Sequence, residues 1–339
     1  MKETIKKLVE TFGPSGYEKD IRDLIRQKIE KDSLATGKGD EVRVDAMGNL
    51  IVLKKGAGGG RKVMLAAHMD EIGVVVTHVD EKGFLRFGRV GGICPHTLLG
   101  GRVRFADGTV GVIGVEKLEN HSKVPGLDKL FIDVGAKDKA GCPMRVGDVA
   151  GFIRPFVDMG DRLVAKAMDD RIGCAVLLQV LRDLKETPHD VHFVFTVQKE
   201  VGLRGATTSG YGLAPDLALA LAVDVTGTGD TPEAHTLAVS LGNGAAIKVK
   251  DGGMLAHPGV KNWLIETAEA NEVPYQLEVL ERGSTDARAI QTLRAGVPAG
   301  CVSIPCRYVH TPSEMVDYND VTNAVRLLVA ALSKPIGIE

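Results

Sequence analysis

The stretch Val63-Met64-Leu65-Ala66-Ala67-His68 is an apolar run of strand length that ends in a histidine. Further apolar runs also lead to potential metal ligands: Glu200 after residues 191–197, Asp224 after residues 217–223, and His310 after residues 302–309. Such runs are typical of strands that are buried on both faces of a parallel sheet. Because ligands bind at the carboxyl ends of the strands in an open α/β sheet, we expect these side chains to lie close together.

Helix-like and strand-like segments alternate along much of the chain, which predicts an α/β fold: a mostly parallel sheet with helices on both faces. Helices are predicted over residues 4–11, 18–31, 171–184, 260–271, 286–295 and 318–332, and strands over residues 42–44, 49–53, 191–197, 217–223, 276–280 and 302–304. Between residues 73 and 157, short β-rich runs alternate with glycine turns, which predicts a small β-barrel or sandwich. We therefore predict an α/β domain of residues 1–72 and 158–339, interrupted by a β-rich domain of residues 73–157.

The composition is that of an ordinary globular protein, with 44% hydrophobic and 25% charged residues. The formal net charge of −2 gives no long-range attraction to nucleic acid or to an anionic membrane, so neither is expected as a partner. The first residues lack the apolar segment of a signal peptide. The five cysteines form no C-x-x-C pair. We therefore expect a cytoplasmic protein with reduced thiols.

Two acidic residues extend the set of candidate functional side chains. In His68-Met69-Asp70, alternate strand residues share a face, so Asp70 can accept a hydrogen bond from the ring nitrogen of His68 that does not bind metal. Asp169 precedes the helix predicted from residue 171 and is the candidate for a carboxylate shared by two ions. Each residue has an ordinary alternative role: a surface or core histidine, a helix cap, or a solvated loop carboxylate.

Together, two imidazoles and three carboxylates have the composition of a two-metal hydrolytic site. Each ion would receive one histidine, one terminal carboxylate and the shared aspartate, with a water bridging the two ions. Two divalent cations ~3.5–4 Å apart polarise a carbonyl group and deliver water as hydroxide. The predicted metal ligands are His68, Asp169, Glu200, Asp224 and His310.

The segments that carry these residues resemble the tetrahedral (TET) aminopeptidase family, which includes glutamyl aminopeptidases and proteins labelled cellulase-like. They are Ala66-Ala67-His68-Met69-Asp70-Glu71-Ile72-Gly73, Lys166-Ala167-Met168-Asp169-Asp170-Arg171, Glu200-Val201-Gly202-Leu203-Arg204-Gly205-Ala206, Ala222-Val223-Asp224-Val225-Thr226 and Arg307-Tyr308-Val309-His310-Thr311-Pro312-Ser313-Glu314. The similarity runs in order along nearly the whole chain, including the β-rich insertion.

The resemblance implies an α/β catalytic domain of the zinc-peptidase type, an inserted barrel-like dimerisation domain, and dimers that assemble into a dodecamer. It implies two divalent ions, Zn²⁺ or Co²⁺, and removal of N-terminal residues from peptide substrates. The family's metal ligands match the five residues predicted above, and Asp70 matches its orienting carboxylate. Gly283-Ser284-Thr285-Asp286-Ala287 matches a Gly-Gly-Thr-Asp-Ala loop near the substrate pocket, which makes Thr285 and Asp286 candidate substrate-binding residues.

Lys199-Glu200 departs from the family pattern, in which two successive glutamates precede Val-Gly and the first is the general base. Glu200 keeps the ligand position, but Lys199 replaces the base, and a protonated amine accepts no proton from water. General acid–base catalysis is worth ~10²–10⁴ in rate, or roughly 3–5 kcal/mol of barrier. Lys199 could act as a neutral base with a lowered pKa, could turn outward, or could leave the chain weakly active or inactive.

The sequence therefore predicts a metalloaminopeptidase whose activity is reduced or altered. The main alternative is a catalytically impaired member that serves as a peptide-binding or assembly subunit. A glycoside hydrolase is a third hypothesis, and it needs two carboxylates beside a sugar-binding cleft. The carboxylates found here belong to the predicted metal site, and Trp263 is the single tryptophan.

Overall fold

A computed structural model of the protein describes residues 1–35, 37–118, 120, 122–214 and 216–338. Its α-helices are α1 (Lys2–Glu10), α2 (Lys19–Lys31), α3 (Met168–Asp183), α4 (Arg204–Leu213), α5 (Pro258–Ala270), α6 (Asp286–Gln291) and α7 (Tyr318–Leu332). Its strands are β1 (Glu41–Val44), β2 (Leu50–Lys54), β3 (Lys62–His68), β4 (Gly73–Val79), β5 (Leu85–Val90), β6 (Arg102–Phe105), β7 (Val110–Val115), β8 (Leu130–Asp133), β9 (Val149–Ile153), β10 (Val157–Asp158), β11 (Arg162–Ala165), β12 (Asp190–Thr196), β13 (Leu217–Thr226), β14 (Ala245–Lys250), β15 (Tyr275–Val279), β16 (Ala299–Arg307) and β17 (Glu314–Asp317).

The larger sheet has the strand order β1-β2-β12-β3-β13-β16-β17-β11-β10, and β14 and β15 branch from β16. Its central strands β12, β3, β13 and β16 are parallel to one another, whereas both ends of the sheet pair antiparallel. β3 and β12 are buried along nearly their whole length, as expected for parallel strands that are covered on both faces. The predicted α/β fold is confirmed, with the parallel pairing concentrated at the centre of the sheet.

Helices cover both faces of this sheet, because alternate residues of each strand point in opposite directions. In β3, Val63 and Leu65 pack into a large core with α1, α2, α3, α5 and α7. Met64 and Ala66 of the same strand pack into a second core with α4 and α6. Burying a side chain such as Leu65 contributes ~1.5–3 kcal/mol, so each face of the sheet stabilises the central strands.

A closed antiparallel barrel is inserted in the chain between β3 and β10 of the larger sheet. It contains β4, β5, β8, β7, β6 and β9 in that order around the barrel. The barrel has a hydrophobic core of its own, which includes Val74, Leu85, Val103 and Ile132. The sequence predicted a barrel or a sandwich in this region, and the structure is a barrel.

Some elements differ from the sequence prediction. The sequence does not predict α4, which contains three glycines and two threonines, all poor helix formers; Ala206 of α4 packs against Ile290 of α6, and this burial stabilises the helix. β16 is longer than the predicted residues 302–304, because it pairs with β13 over residues 299–305. α6 ends at Gln291, whereas the predicted helix extended to residue 295. Among the residues that the structure describes, no helix has the length and apolar character needed to cross a membrane.

Candidate metal centre

His68 is the last residue of β3 and is 1% exposed. Its Nδ1 lies 3.0 Å from the backbone oxygen of Asp70 and 3.4 Å from Asp70 Oδ1. A carbonyl oxygen only accepts, so Nδ1 carries a proton and donates a hydrogen bond to Asp70, with the backbone oxygen nearer than the carboxylate that the sequence indicated. Nε2 faces Oδ1 of Asp169 at 2.8 Å. In the neutral ring, Nε2 therefore carries the lone pair that a metal ion binds.

Asp169 lies in the middle of the cluster, near the start of α3. Its Oδ1 is 2.8 Å from Nε2 of His68, and its Oδ2 is 3.1 Å from Nε2 of His310. The backbone is not helical at Asp169 and Asp170, and the peptide bond between them is cis. The carboxylate of Asp169 contacts the two imidazoles through different oxygens, which is the arrangement that a shared ligand needs.

The remaining predicted ligands lie on either side of Asp169. Oδ1 of Asp224 is 3.8 Å from Nε2 of His68, and Oε2 of Glu200 is 3.3 Å from Nε2 of His310. Asp224 lies within β13 rather than after it, because the strand continues to Thr226 through its pairing with β16. The structure therefore brings the five predicted ligands together at one edge of the sheet.

Neighbouring carboxylates raise the pKa values of both histidines. Burial lowers the pKa of His310, but hydrogen bonds with Asp169 and Glu200 raise it to about 11. At His68, burial and the charge of Lys199 lower the pKa, and hydrogen bonds with Asp169 and Asp70 raise it by more, to well above its ordinary value. A metal ion that binds these imidazoles has to displace protons, so the affinity of the centre for metal increases with pH.

Asp70 is fully buried and holds the loop after β12. Its Oδ1 accepts the backbone N–H of Lys199 at 2.9 Å, and its Oδ2 accepts the backbone N–H of Glu200 at 3.0 Å. The hydroxyl of Ser15 donates to Oδ2 at 2.5 Å. Burial raises the pKa of Asp70, but hydrogen bonds from His68, Ser15 and Lys199 lower it by more. Asp70 is therefore a carboxylate that positions the Lys199-Glu200 segment as well as lying beside His68.

Glu314 is a positioning residue that the sequence did not single out. It is 1% exposed, its Oε1 accepts the backbone N–H of His310 at 2.8 Å, and its Oε2 accepts that of Asp169 at 3.0 Å. Burial and the charge of Asp169 raise the pKa of Glu314 to about 8. In the sequence, Glu314 follows Pro312-Ser313 and resembles a solvated loop carboxylate. The sequence signal that could have indicated its burial is the short strand-like run Glu314-Met315-Val316, which forms most of β17.

Asp170 lies against the same cluster, as a supporting residue. Its Oδ2 accepts the backbone N–H of His68 at 3.1 Å, and its Oδ1 accepts the backbone N–H of Gly173 at 3.1 Å. Burial and the charge of Asp224 raise the pKa of Asp170 well above its ordinary value. Donor atoms of His68, Asp170 and Asp224 lie within 4.8 Å of one another, as do those of His68, Asp169 and Glu200.

The side chain of Lys199 points into the cluster and is 9% exposed. Its Nζ lies 3.2 Å from Asp169 Oδ1, 3.2 Å from Glu200 Oε1 and 3.5 Å from Asp224 Oδ1. Burial lowers the pKa of Lys199, but the charges of Asp169, Asp224 and Glu200 raise it well above its ordinary value. Of the possibilities that the sequence left open, the structure contradicts the outward-turned side chain.

The cluster fits a divalent cation in both donor type and charge. Imidazole nitrogens and carboxylate oxygens suit Zn²⁺ and Co²⁺. The carboxylates of Asp169, Glu200 and Asp224 are each 4% exposed and carry three negative charges, of which the Lys199 ammonium balances one. When both imidazoles are deprotonated, the two negative charges that remain are costly to bury without a counter-cation.

A cavity of about 870 Å³ opens beside the cluster. Thr285 lies in its wall, is 3% exposed, and has a hydroxyl group without a hydrogen-bond partner among the described residues. Asp286 is buried, and its Oδ2 accepts a hydrogen bond from the Thr196 hydroxyl at 2.5 Å. Of the two candidate substrate-binding residues, Thr285 faces the cavity and Asp286 lies behind its wall. The lining also includes the cluster residues Asp169, Lys199, Glu200, Asp224 and His310, and the basic residues Lys248 and Arg288.

A barrel loop between β5 and β6 reaches the cluster at Gly91 and Gly92. A Cβ atom on Gly92 would lie 2.7 Å from Nδ1 of His310, and a Cβ atom on Gly91 would lie 3.0 Å from Cβ of Glu200. Gly91 also has a φ of 77°, which favours glycine. The absence of side chains at both positions lets the barrel backbone pack directly against two of the predicted ligands.

The chain matches the family model described as M42 glutamyl aminopeptidase over residues 48–327. Lysyl aminopeptidase of Pyrococcus furiosus is 35% identical over 347 residues, which cover 98% of this chain and 96% of that protein. The structure of aminopeptidase APDkam598 from the archaeon Desulfurococcus kamchatkensis is 43% identical, with a TM-score of 0.90 and coverage of 98% of this chain and 94% of that chain. The TET1 peptidase of Pyrococcus horikoshii, which can assemble into a tetrahedron or a large octahedral shell, is 32% identical, with a TM-score of 0.86 and coverage of 98% and 99%.

Proposed function

The chain belongs to the M42 glutamyl aminopeptidase family, and on this basis we propose that it is a metal-dependent aminopeptidase that removes N-terminal residues from peptides. The observation that carries the proposal is the convergence of two imidazoles and three carboxylates around Asp169, beside a cavity. The cavity volume of about 870 Å³ is within the range of pockets that bind small ligands or part of a peptide.

Two groups of donors support this proposal. The His68 position would be formed by His68, Asp169 and Asp224, and the His310 position by His310, Asp169 and Glu200, with Asp169 shared. This donor set corresponds to the two ions, Zn²⁺ or Co²⁺, expected from the sequence. A divalent ion in such a site acts as a Lewis acid toward a substrate carbonyl and lowers the pKa of a water that it holds.

Other residues of the chain would position the donors and the peptide. Glu314 holds the backbone of Asp169 and His310, and Asp70 holds the backbone of Glu200. Such groups behind the donors typically change metal affinity or activity by ~10–100-fold when they are removed. Thr285 lies in the cavity wall and would therefore adjoin a peptide bound there.

Lys199 limits the proton transfer that this chain's residues can perform. Its ammonium group has no lone pair, and three carboxylates hold its pKa well above the ordinary value. We therefore propose that turnover is lower, by ~10²-fold or more, than a glutamate at this position would give.

Lys199→Glu tests the proposed activity, with Lys38→Glu as a matched control, because Lys38 is exposed and its substitution makes the same change of charge. Wild type and both variants are assayed with chromogenic aminoacyl substrates in Zn²⁺ or Co²⁺. Lys199→Glu is expected to raise kcat by ~10²-fold, while Lys38→Glu leaves it unchanged. The absence of a gain would show that Lys199 does not limit turnover. If neither wild type nor Lys199→Glu hydrolysed any aminoacyl substrate, the aminopeptidase proposal would be wrong.

The inward ammonium of Lys199 also favours a second function, a metal-containing subunit that binds peptides or assembles with active subunits. This function requires peptide binding without turnover, which calorimetry with a free and an N-acetylated peptide measures. Release of the N-terminal residue during the titration would exclude it. The glycoside hydrolase hypothesis is weaker, because Trp263 packs in the large core of the main sheet. A chelator would leave a carboxylate-pair glycosidase active but abolish the peptidase.

Subunits are proposed to assemble through the barrel, with residues 73–157 as a dimerisation domain and residues 1–72 and 158–339 as the catalytic domain. The related TET1 peptidase of Pyrococcus horikoshii can form a tetrahedron or a large octahedral shell, which supports dimers that build a dodecamer. On the barrel, β7 exposes the apolar residues Val110 and Val112, which are 49% and 47% exposed. Native mass spectrometry that found only monomers at micromolar concentration would contradict this assembly.

A further inference from the structure

We infer that the Lys199 ammonium occupies the His68 position of the centre, so that each chain holds one divalent ion, in the His310 position. The inference rests on the proposed function, because it takes the five clustered side chains as a metal site. One ion per chain is fewer than the two ions that the five donor side chains could hold if Lys199 were not there.

The carboxylate oxygens divide into two sets. Asp169 Oδ1, Glu200 Oε1 and Asp224 Oδ1 lie 2.8, 3.9 and 3.8 Å from Nε2 of His68. The same three oxygens lie 3.2, 3.2 and 3.5 Å from Nζ of Lys199. The ammonium group therefore contacts the oxygens that a cation beside His68 would need. The other oxygens of Asp169 and Glu200 face His310, at 3.1 and 3.3 Å from its Nε2.

Charge balance favours one divalent ion. The three carboxylates and the Lys199 ammonium leave two negative charges in a region where each of these side chains is less than 10% exposed. One divalent ion neutralises them when both imidazoles are neutral. A second divalent ion would leave the cluster, ammonium group included, with two excess positive charges, and like charges repel strongly where water is largely excluded.

The backbone fixes Lys199 where its side chain reaches these oxygens. The backbone N–H of Lys199 donates to Asp70 at 2.9 Å, and that of Gln198 donates to Oε1 of Glu18 at 3.0 Å. Asp70 is itself held by Ser15. A second ion could enter only if the ammonium group left the three carboxylates for the adjoining cavity, which Lys199 also lines.

Metal content tests the inference without an activity assay. Wild type, Lys199→Met, Lys199→Glu and the control Lys38→Glu are saturated with Zn²⁺, freed of excess metal by gel filtration, and analysed by plasma mass spectrometry. We expect one ion per chain in wild type and in Lys38→Glu, and two in Lys199→Met, which keeps an unbranched stem but has no charge. Lys199→Glu is also expected to bind two ions, and circular dichroism checks that each variant is folded.

The occupied position is tested with histidine variants. His310→Ala is expected to lose the single ion, whereas His68→Ala is expected to keep it. Two ions in wild type, one ion in Lys199→Met, or loss of the ion from His68→Ala but not from His310→Ala would each overturn the inference and leave a metal-dependent peptidase intact. No metal in wild type and in every variant would instead overturn the proposed metal centre, and the inference with it.

Discussion

Glu314→Ala is expected to lower both the stability of the protein and its affinity for metal, because one side chain holds the backbone of two predicted ligands. Its carboxylate accepts the N–H groups of Asp169 at 3.0 Å and His310 at 2.8 Å, and Glu314 is 1% exposed. An unpaired buried N–H group costs ~1–3 kcal/mol. Losing both hydrogen bonds should therefore lower the free energy of unfolding by about 2–6 kcal/mol.

Glu314→Gln separates the hydrogen bonds from the shape of the side chain. The amide of glutamine has a single acceptor oxygen, so it can satisfy one of the two N–H groups, and we expect about half of the loss in stability. Removal of a group that orients metal ligands typically weakens metal binding by ~10–100-fold. The affinity of Glu314→Ala for Zn²⁺ should fall within that range.

Urea unfolding measures the stability of these variants, and competition with a chromogenic chelator measures their Zn²⁺ affinity. Glu186→Ala is the control, because Glu186 is exposed and lies away from the cluster. The reasoning fails if Glu314→Ala and Glu186→Ala unfold at the same urea concentration and bind Zn²⁺ equally well. It fails in part if Glu314→Gln is as damaged as Glu314→Ala, since the count of acceptors would then not matter.

Three further outcomes are expected. Burial and the charge of Lys62 lower the pKa of His192 to about 4, so between pH ~6.5 and 4 the unfolded chain takes up a proton that the folded chain does not. Stability should therefore fall by ~1–3 kcal/mol as the pH drops through this window, and His192→Phe should remove that part of the pH dependence in urea unfolding; an unchanged slope would refute the assignment. The guanidinium group of Arg288 has no hydrogen bond or ion pair with a described residue, and Arg288 lines the cavity, so Arg288→Ala should raise KM roughly two- to fivefold for substrates that begin with Asp or Glu. An equal rise for substrates with a neutral first residue would argue against a charge effect. EDTA should abolish hydrolysis and lower Tm, and Zn²⁺ should restore both; full activity in protein shown to be free of metal by mass spectrometry would contradict a metal-dependent enzyme.

The sequence predicted the parts of the site that depend on local pattern. His68, for example, follows an apolar run, and the end of such a run is visible without knowledge of distant contacts. The departure of Lys199 from the glutamate expected in the family pattern was also visible, because it needs only the identity of one residue at a matched position. The α/β fold and the barrel followed in the same way from the spacing of apolar residues, helices and glycine turns.

Features that depend on contacts between distant segments were not predictable. Glu314 acts on the backbone of Asp169, which lies 145 residues earlier in the chain. The inward direction of Lys199 depends on how the loop after β12 is held by Asp70, a contact across 129 residues. The composition of α4 argues against a helix, and its packing against α6 outweighs that local preference. In each case, the deciding interaction forms only when the chain has folded.

The glycine pair at Gly91 and Gly92 makes the barrel one wall of the centre rather than a separable module. The backbone of Gly92 packs so closely against the ring of His310 that a Cβ atom at this position would clash with it. A small displacement of the barrel therefore changes the space open to that imidazole. If subunits associate through the barrel, association and metal binding act on the same piece of backbone. Their free energies are then linked, so metal occupancy shifts the association equilibrium and subunit concentration shifts the apparent metal affinity.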